Sequence, residues 1–347
     1  LGLFRSVIVD NNANLLSYSL PKSYAFEEFV LGKPDEMTAI DYLSNFEVSY
    51  MVDGTMINVF WNPNTNDWEI ATRSNIGANC SYNTEYTFRY MFLDCMNKCD
   101  LTFDMLDKNV SYSFVFQHPD NRIVENIQRH QIYLIAMFKF DEHKVMYHKK
   151  NEYAEKQEEI LVDLELLQEQ SGEDFKTNLD NMIENMYTQN SIRKREEYIP
   201  GIMFINKKTG ERTKIRNKGY EYIRRLKGNS NKDQFKYYSL RKLGQVKEYL
   251  KHFPEDSQKF HDMMKVVHEW TNKLFGYYID CFINKTKHVK EYPYEFVPHI
   301  CGLHDIYLKE LRIKGQYINK YQVIQYVNNL EPERLMFAIN YPIKQSK

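Results

Sequence analysis

Glu47–Trp61 reads EVSYMVDGTMINVFW. Two runs of β-branched and aromatic residues flank Met51-Val52-Asp53-Gly54, and only that short middle interrupts the apolar pattern. Such runs favour strands, because branched and aromatic side chains fit a pleated, half-buried surface. By itself, Asp-Gly between two strands reads as an ordinary hairpin turn. The same texture extends outward through FRSVIVD (4–10), WEIATR (68–73), YSFVFQ (112–117) and QIYLIAMFKF (131–140), all broken by Asn, Asp and Gly. IPGIMFI (199–205) and TKIRN (213–217), joined by KKTGE, read as a hairpin. Before residue 140 the main helical stretch is TEYTFRYMFLDCMNKC (84–99).

From about Tyr220 the period becomes helical, in YEYIRRL, SLRKLGQVKEYLKHF, SQKFHDMMKVVHEWTNKLFGYYIDCFI, HDIYLKELRI and YQVIQYVNNL. The expected fold class is therefore α+β, with a β-rich domain over 1–222 followed by an all-α domain over 223–347. A chain of 347 residues is long enough for two cores. Its 43% hydrophobic and 27% charged residues exclude the disordered and collagen-like classes.

Charge is balanced overall, 46 Lys and Arg against 47 Asp and Glu, but it is segregated. Residues 151–190 hold 11 acids and 2 lysines, with leucines at helical spacing, and read as an acidic surface helix. Lys207–Lys251 holds 15 Lys and Arg against 4 acids, interleaved with Tyr220, Tyr222, Phe235, Tyr237 and Tyr238. That stretch reads either as a solvated basic face or as a phosphate track with stacking aromatics.

Five cysteines with no CxxC pair suit a reducing, intracellular setting. Cys95 and Cys99 are expected to be buried structural thiols, and no metal cage is read from them. His118, His130 and His268 are expected to be core or surface residues, not bases. No apolar run approaches the ~18 residues of a membrane span, so a soluble protein with no membrane partner is expected. The chain opens on Leu1 inside a strand-like run, which implies that the natural protein extends upstream.

Read together, several short segments make an ordered series. Tyr50-Met51-Val52-Asp53-Gly54-Thr55 comes first, followed by Thr72-Arg73-Ser74 and then Phe114-Val115-Phe116-Gln117-His118-Pro119-Asp120-Asn121-Arg122-Ile123-Val124. Glu196-Glu197-Tyr198-Ile199-Pro200-Gly201-Ile202 and Lys214-Ile215-Arg216 close it. The series resembles the five motifs of the covalent nucleotidyltransferases, in the branch of the ATP-dependent type-1 phage RNA ligases, found in large tailed phages and large DNA viruses. Arg5 and Pro21-Lys22-Ser23-Tyr24 match the segments that precede the first motif there, and the C-terminal helices resemble that branch's helical domain, which implies an antiparallel-sheet nucleotidyltransferase domain over 1–222 and RNA or tRNA specificity in the helices over 223–347.

The resemblance implies an RNA ligase that joins RNA 3′-hydroxyl and 5′-phosphate ends through enzyme–AMP and RNA–adenylate intermediates. It implies ATP and Mg²⁺ or Mn²⁺ as cofactors, RNA and above all broken tRNA as the partner, a monomer, and a cytoplasmic setting in a host cell. By position, the residues implied to bind ATP are Arg5, Lys22, Val52, Asp53, Gly54, Arg73, Phe116, Glu196, Glu197, Lys214 and Arg216. Asp53 and Glu197 are implied to organise metal through water, with Glu197 favoured over Glu196 as the motif-four carboxylate. Lys214 and Arg216 join the catalytic set, and Met51 stands where the family has its nucleophilic lysine.

Methionine matches the lysine stem in volume but has no amine, so self-adenylylation should fail. Met51 is read as a near-isosteric replacement that traps ATP, in preference to a natural loss. Val115 occupies the centre of F-x-F, where the family usually carries a carboxylate. The alternatives left open are an ATP- or RNA-binding pseudoenzyme, a capping guanylyltransferase and a DNA ligase.

Overall fold

The computed structural model describes residues 5–31, 46–82, 84–141, 144–148, 193–194, 197–198, 200–206 and 211–345. The expected acidic helix over 151–190 lies outside them. The chain divides into two compact units, Leu1–Arg224 and Arg225–Lys347.

The first unit is built on antiparallel sheets. The larger has five strands in the order β5-β4-β6-β7-β8: β4 (Thr55–Asn62), β5 (Asp67–Ala71), β6 (Val110–Gln117), β7 (Gln131–Asp141) and β8 (Lys144–His148). Alternation decides its faces. Ile57 and Val59 of β4, Tyr112, Phe114 and Phe116 of β6, and Ile132 and Leu134 of β7 form one buried face. Helix α2 (Phe88–Lys98) covers that face with Met91, Phe92, Cys95 and Met96. The Thr87 hydroxyl caps the helix by accepting from the Tyr90 amide at 3.2 Å. In β7 the register slips at Ile135, because Phe114 faces Leu134 while Ser113 faces Ala136. This bulge turns Ala136 and Phe138 to the opposite face, where they pack with Leu20.

That opposite face carries a buried polar seam. Strand β2 (Leu15–Ser17), which pairs with β1 (Ile8–Val9), brings the Ser17 hydroxyl to 3.0 Å from that of Ser111. Asn58 Oδ1 accepts from the Ser113 hydroxyl at 2.9 Å. These groups satisfy one another, as buried polar groups must.

A second sheet has three strands in the order β12-β11-β3: β3 (Phe46–Tyr50), β11 (Gly201–Asn206) and β12 (Arg212–Arg216). The β11–β12 hairpin forms as expected. Helix α1 (Phe26–Leu31) and the β9 (Arg193–Lys194) and β10 (Glu197–Tyr198) pair complete the described strands and helices before α3 (Lys218–Lys227).

Asp53-Gly54 is not the ordinary hairpin turn that the pair suggests when taken alone. β3 pairs with β11, whereas β4 pairs with β5 and β6, so Met51–Gly54 crosses from one sheet to the other. The physical reason is that the Asp53 carboxylate is committed to distant backbone and side-chain donors, as described below.

The second unit contains α4 (Asp233–Lys242), α5 (Val246–His252), α6 (Ser257–Tyr278), α7 (Val297–Ile306), α8 (Lys320–Asn329) and α9 (Pro332–Gln345). Its core is aromatic: Tyr249 stacks on Phe253 at 4.8 Å and on Phe260 at 5.1 Å, and Trp270 stacks on Phe296 at 5.1 Å. Tyr237 and Tyr238 are also buried there. The sequence offered them as stacking residues for a nucleic acid, but Lys-rich segments still need apolar anchors, and these two rings serve that purpose. Among the described residues no helix is long and apolar enough to cross a membrane.

Candidate functional site

Register places the key side chains. In the three-stranded sheet, Lys214 faces Met203, which faces Ser49; Arg216 faces Gly201 two positions on. The Gly201 carbonyl accepts the Met51 amide at 2.8 Å, which continues the β11–β3 ladder past Tyr50. Met51, Gly201 and Arg216 thus form one row, and Ser49, Met203 and Lys214 the adjacent row of the same face. The intervening residues Val48, Ile202, Phe204 and Ile215 are buried on the other side. Gly201 is required here: it has φ +154°, and a Cβ would lie 2.2 Å from the Ile215 carbonyl oxygen.

The Met51–Gly54 crossing is anchored at nearly every residue. Asp53 is 5% exposed. Its Oδ2 accepts the Val124 and Glu125 amides at 3.1 and 2.9 Å, and its Oδ1 accepts the Tyr220 hydroxyl at 2.9 Å. The Asp53 carbonyl accepts from Gln117 Nε2 at 2.8 Å. Burial, then the charge and hydrogen bond of Asp53, hold the Tyr220 phenol protonated far above its usual range. At Gly54 a Cβ would meet the Phe116 carbonyl oxygen at 2.5 Å and Val115 Cγ1 at 2.6 Å, so β4 can pair with β6 only if that position is glycine. Asn121 Nδ2 donates to the Thr55 hydroxyl at 2.9 Å. The Asn121–Val124 part of the third segment therefore braces the first.

Lys214 is the centre of a cationic group. Its ammonium donates to the Ser23 hydroxyl at 2.8 Å. Burial first, then the charges of Arg216, Arg212, Arg5 and Arg224, lower its pKa to about 8. The Pro21–Tyr24 segment runs along β12: the Pro21 carbonyl accepts from Arg212 Nε at 2.7 Å, and the Arg212 carbonyl accepts the Tyr24 amide at 2.9 Å. Arg216 pairs with Glu221 at 2.6 Å, and Arg224 lies 3.8 Å from the same carboxylate.

The other expected site residues scatter. Lys22 is exposed on the Pro21–Tyr24 segment. Val52 is half-buried in the crossing. Arg73 is exposed on the turn after β5, with its carbonyl 3.5 Å from the Ser6 hydroxyl. Phe116 is fully buried beside Phe88 and Phe92 in the core under α2. Glu196 lies outside the described residues, and Glu197 sits in the short β9–β10 pair, three residues before the buried Pro200 that precedes Gly201.

Three donors occupy the Asp53 carboxylate, two at Oδ2 and one at Oδ1, so acceptor capacity for the water shell of a divalent ion remains at Oδ1 alone. Phosphates fit the Lys214–Arg216 face, because cations crowd there with Glu221 as a partial offset.

The sequence missed two clusters. One is the Asp53–Tyr220 bond, whose partners lie 167 residues apart. The other gathers Asp94, His118 and His130, with Asp94 Oδ2 at 3.3 Å from His118 Nε2 and 3.0 Å from His130 Nε2. The Asp120 amide donates to His118 Nδ1 at 3.0 Å, so the ring proton sits on Nε2 and points at Asp94. This is a hydrogen-bonded tie between α2, the end of β6 and the start of β7. Cys95 behaves as the expected structural thiol: it is buried, donates to the Gln117 carbonyl at 3.2 Å, and has its pKa pushed up by burial to about 12.

No family model matches the chain, and no curated protein matches it. Among solved structures it is similar to a chain from Aquifex aeolicus described as a "putative ATP-dependent DNA ligase", at 12% identity and TM-score 0.41, over 89% of this chain and 72% of that one. It is also similar to Naegleria gruberi RNA ligase in two variants. The lysine-to-alanine variant with ATP and Mn gives 12% identity and TM-score 0.34, over 52% of this chain and 51% of that one. The lysine-to-methionine variant with AMP and Mn gives 12% and 0.39, over 63% and 62%. The chain thus spans less than two thirds of the two RNA ligase chains.

Proposed function

We propose that the first unit is an adenylyltransferase-type domain that binds ATP over the Met51–Lys214–Arg216 face, and that the whole chain acts on RNA with 5′-phosphate and 3′-hydroxyl ends, broken tRNA being the expected class. The observation that carries this reading is the register that puts Met51 and Arg216 in one row with Lys214 in the next. A lysine at position 51 would sit beside two cations, which favours the neutral, nucleophilic amine. Its Nζ would form a bond to the α-phosphorus as the bond to pyrophosphate breaks, with Lys214 and Arg216 neutralising phosphate charge.

The thioether of Met51 has no proton to release and forms no stable phosphoramidate, so the chain as it stands binds nucleotide without becoming adenylylated. Joining of RNA that already carries a 5′-adenylate needs no amine at position 51: the 3′-hydroxyl attacks the 5′-phosphate and AMP leaves. No metal ligand is assigned at this face, since the described residues there offer none that fits.

Intact-mass measurement after incubation with ATP and Mg²⁺, on this chain and on Met51→Lys, tests the reading. One AMP adduct is expected, on the lysine form only. A folded Met51→Lys protein that binds ATP but gains no adduct would refute the transferase assignment. That outcome would favour a second reading, a nucleotide-binding chain without chemistry. Pro200 favours this second reading, because the fourth motif of the family that the chain resembles normally reads Glu-Gly, and here proline directly precedes Gly201.

A further inference from the structure

Expected stacking residues Tyr237 and Tyr238 are buried, yet the second unit exposes aromatic and apolar side chains elsewhere. Tyr307–Leu311 is a π-helical turn and Arg312–Lys314 a 3₁₀ turn, closed by Gly315 at φ +66°. Leu311 and Ile318 are buried and pin the two ends. Between them all six residues Arg312–Tyr317 are exposed.

The turn is ordered by its own backbone, as the Arg312 carbonyl accepts the Gly315 amide at 3.1 Å and the Leu311 carbonyl accepts that of Gln316 at 2.9 Å. Ile313 is 82% exposed, the highest value among the large apolar residues described, and Tyr317 is 69% exposed. Tyr317 lies nearly parallel to Tyr307, at 6.3 Å and 18°, so one ring face is backed and the side chain still meets solvent.

Charge is equally one-sided. Arg312, Lys314 and Lys320 are exposed and pair with no carboxylate among the described residues, while Lys309 is 3.9 Å from Asp305. Glu310 is the single acid between Ile306 and Leu330. An exposed apolar tip and a backed tyrosine flanked by cations match the chemistry of a strand whose bases are unstacked and whose backbone is anionic. A duplex hides its base faces, whereas a single strand offers unstacked bases and phosphates side by side.

We propose that the Arg312–Tyr321 turn is a docking surface for single-stranded RNA, with Arg312, Lys314 and Lys320 tracking phosphates and Tyr317 and Ile313 taking base faces. This rests on the functional reading above for the choice of RNA.

Fluorescence anisotropy with a labelled single-stranded oligoribonucleotide, across a salt series, tests it on the full chain. Arg312→Ala/Lys314→Ala should weaken binding and flatten the slope of log K against log salt by about 1.4, at ~0.7 per phosphate contact on single strands. Tyr317→Ala should weaken binding about fivefold or more, and Tyr317→Phe should restore it. The charge-matched pair Lys265→Ala/Lys273→Ala on α6 should leave affinity within about twofold. Equal loss from that control pair, or unchanged binding by the turn variants, overturns the assignment while leaving the functional reading intact. Absence of any RNA binding by the parent chain overturns both.

Discussion

Removing the Asp53 carboxylate should destabilise the first unit in graded steps. In Tyr220→Phe the carboxylate loses one donor, and a hydrogen bond to a charged acceptor is worth about 1.5–3 kcal/mol. In Asp53→Ala the Val124 and Glu125 amides and the Tyr220 hydroxyl all lose their partner in a site that is 5% exposed. Each orphaned donor costs about 1–3 kcal/mol, and partial water entry limits the total to about 4 kcal/mol. Asp53→Asn keeps one carbonyl oxygen for the two amides and turns its NH₂ toward a phenol oxygen that can accept, so about 1–2 kcal/mol is expected.

Urea unfolding followed by tryptophan fluorescence reads these values, because Trp61 and Trp68 both lie in this unit. With a slope of about 2.5 kcal/mol/M for a unit of this size, Asp53→Ala lowers the midpoint by about 1.6 M. Hydrogen exchange supplies the residue-level readout, with the Val124 and Glu125 amides losing protection in Asp53→Ala and keeping it in Asp53→Asn. A larger loss in Asp53→Ala than in either Tyr220→Phe or Asp53→Asn is the signature of a structural carboxylate. A fully stable Asp53→Asn protein whose Mg²⁺ affinity collapses would refute the reasoning and make Asp53 a metal-organising group instead.

Three further outcomes are expected. Affinity for pyrophosphate, measured by calorimetry, should fall as pH rises past about 8, where Lys214 loses its proton, and Lys214→Arg should flatten that profile; because folding lowers this pKa, the fold itself gains stability between about pH 8 and the unfolded value. Gly201→Ala should cost about 3 kcal/mol or more, since both close contacts are backbone atoms, and Gly54→Ala should not be rescued by Val115→Ala because the Phe116 carbonyl still lies 2.5 Å from the new Cβ; thermal midpoints check both. Burial, then Arg334, lower the His299 pKa to about 4, so the second unit should lose up to about 3 kcal/mol as pH falls from about 6.5 to 4, a slope that His299→Asn removes and that Trp270 fluorescence reports from 5.1 Å away.

Local pattern made the strands readable. Ile57, Val59, Phe114 and Phe116 alternate with polar or opposite-facing residues, and the turn signal at KKTGE joins strands that do pair. The Asp-Gly step taken alone could not be resolved from sequence for a physical reason: whether such a step turns or crosses depends on what its carboxylate finds, and Asp53 finds Val124, Glu125 and Tyr220, 71 to 167 residues away. Charge density alone left the role of Lys207–Lys251 open, and burial now divides its rings: Tyr220, Tyr237 and Tyr238 are in the core, whereas Tyr222 is 48% exposed. The row shared by Met51 and Arg216 follows from strand register, which a single sequence specifies only once the pairing partners are known.

The crossing from β3 to β4 separates two properties that a reactive site normally combines. Met51 is fixed through its amide to Gly201, Asp53 through three donors, and Gly54 by its fit against Phe116, so the backbone that would aim a side chain at position 51 is held rigidly. Lys214 and Arg216 stand on the same sheet face, and an anion relieves their mutual repulsion in a half-buried setting. On the proposed reading, anion binding and aim both come from this scaffold, and neither depends on what position 51 carries. Bond making does depend on it, because attack at phosphorus needs a lone pair that methionine cannot turn into a stable adduct. On the proposed reading, binding can be measured apart from transfer in this chain, and Met51→Lys is expected to add the bond-making step without disturbing any of the three anchors.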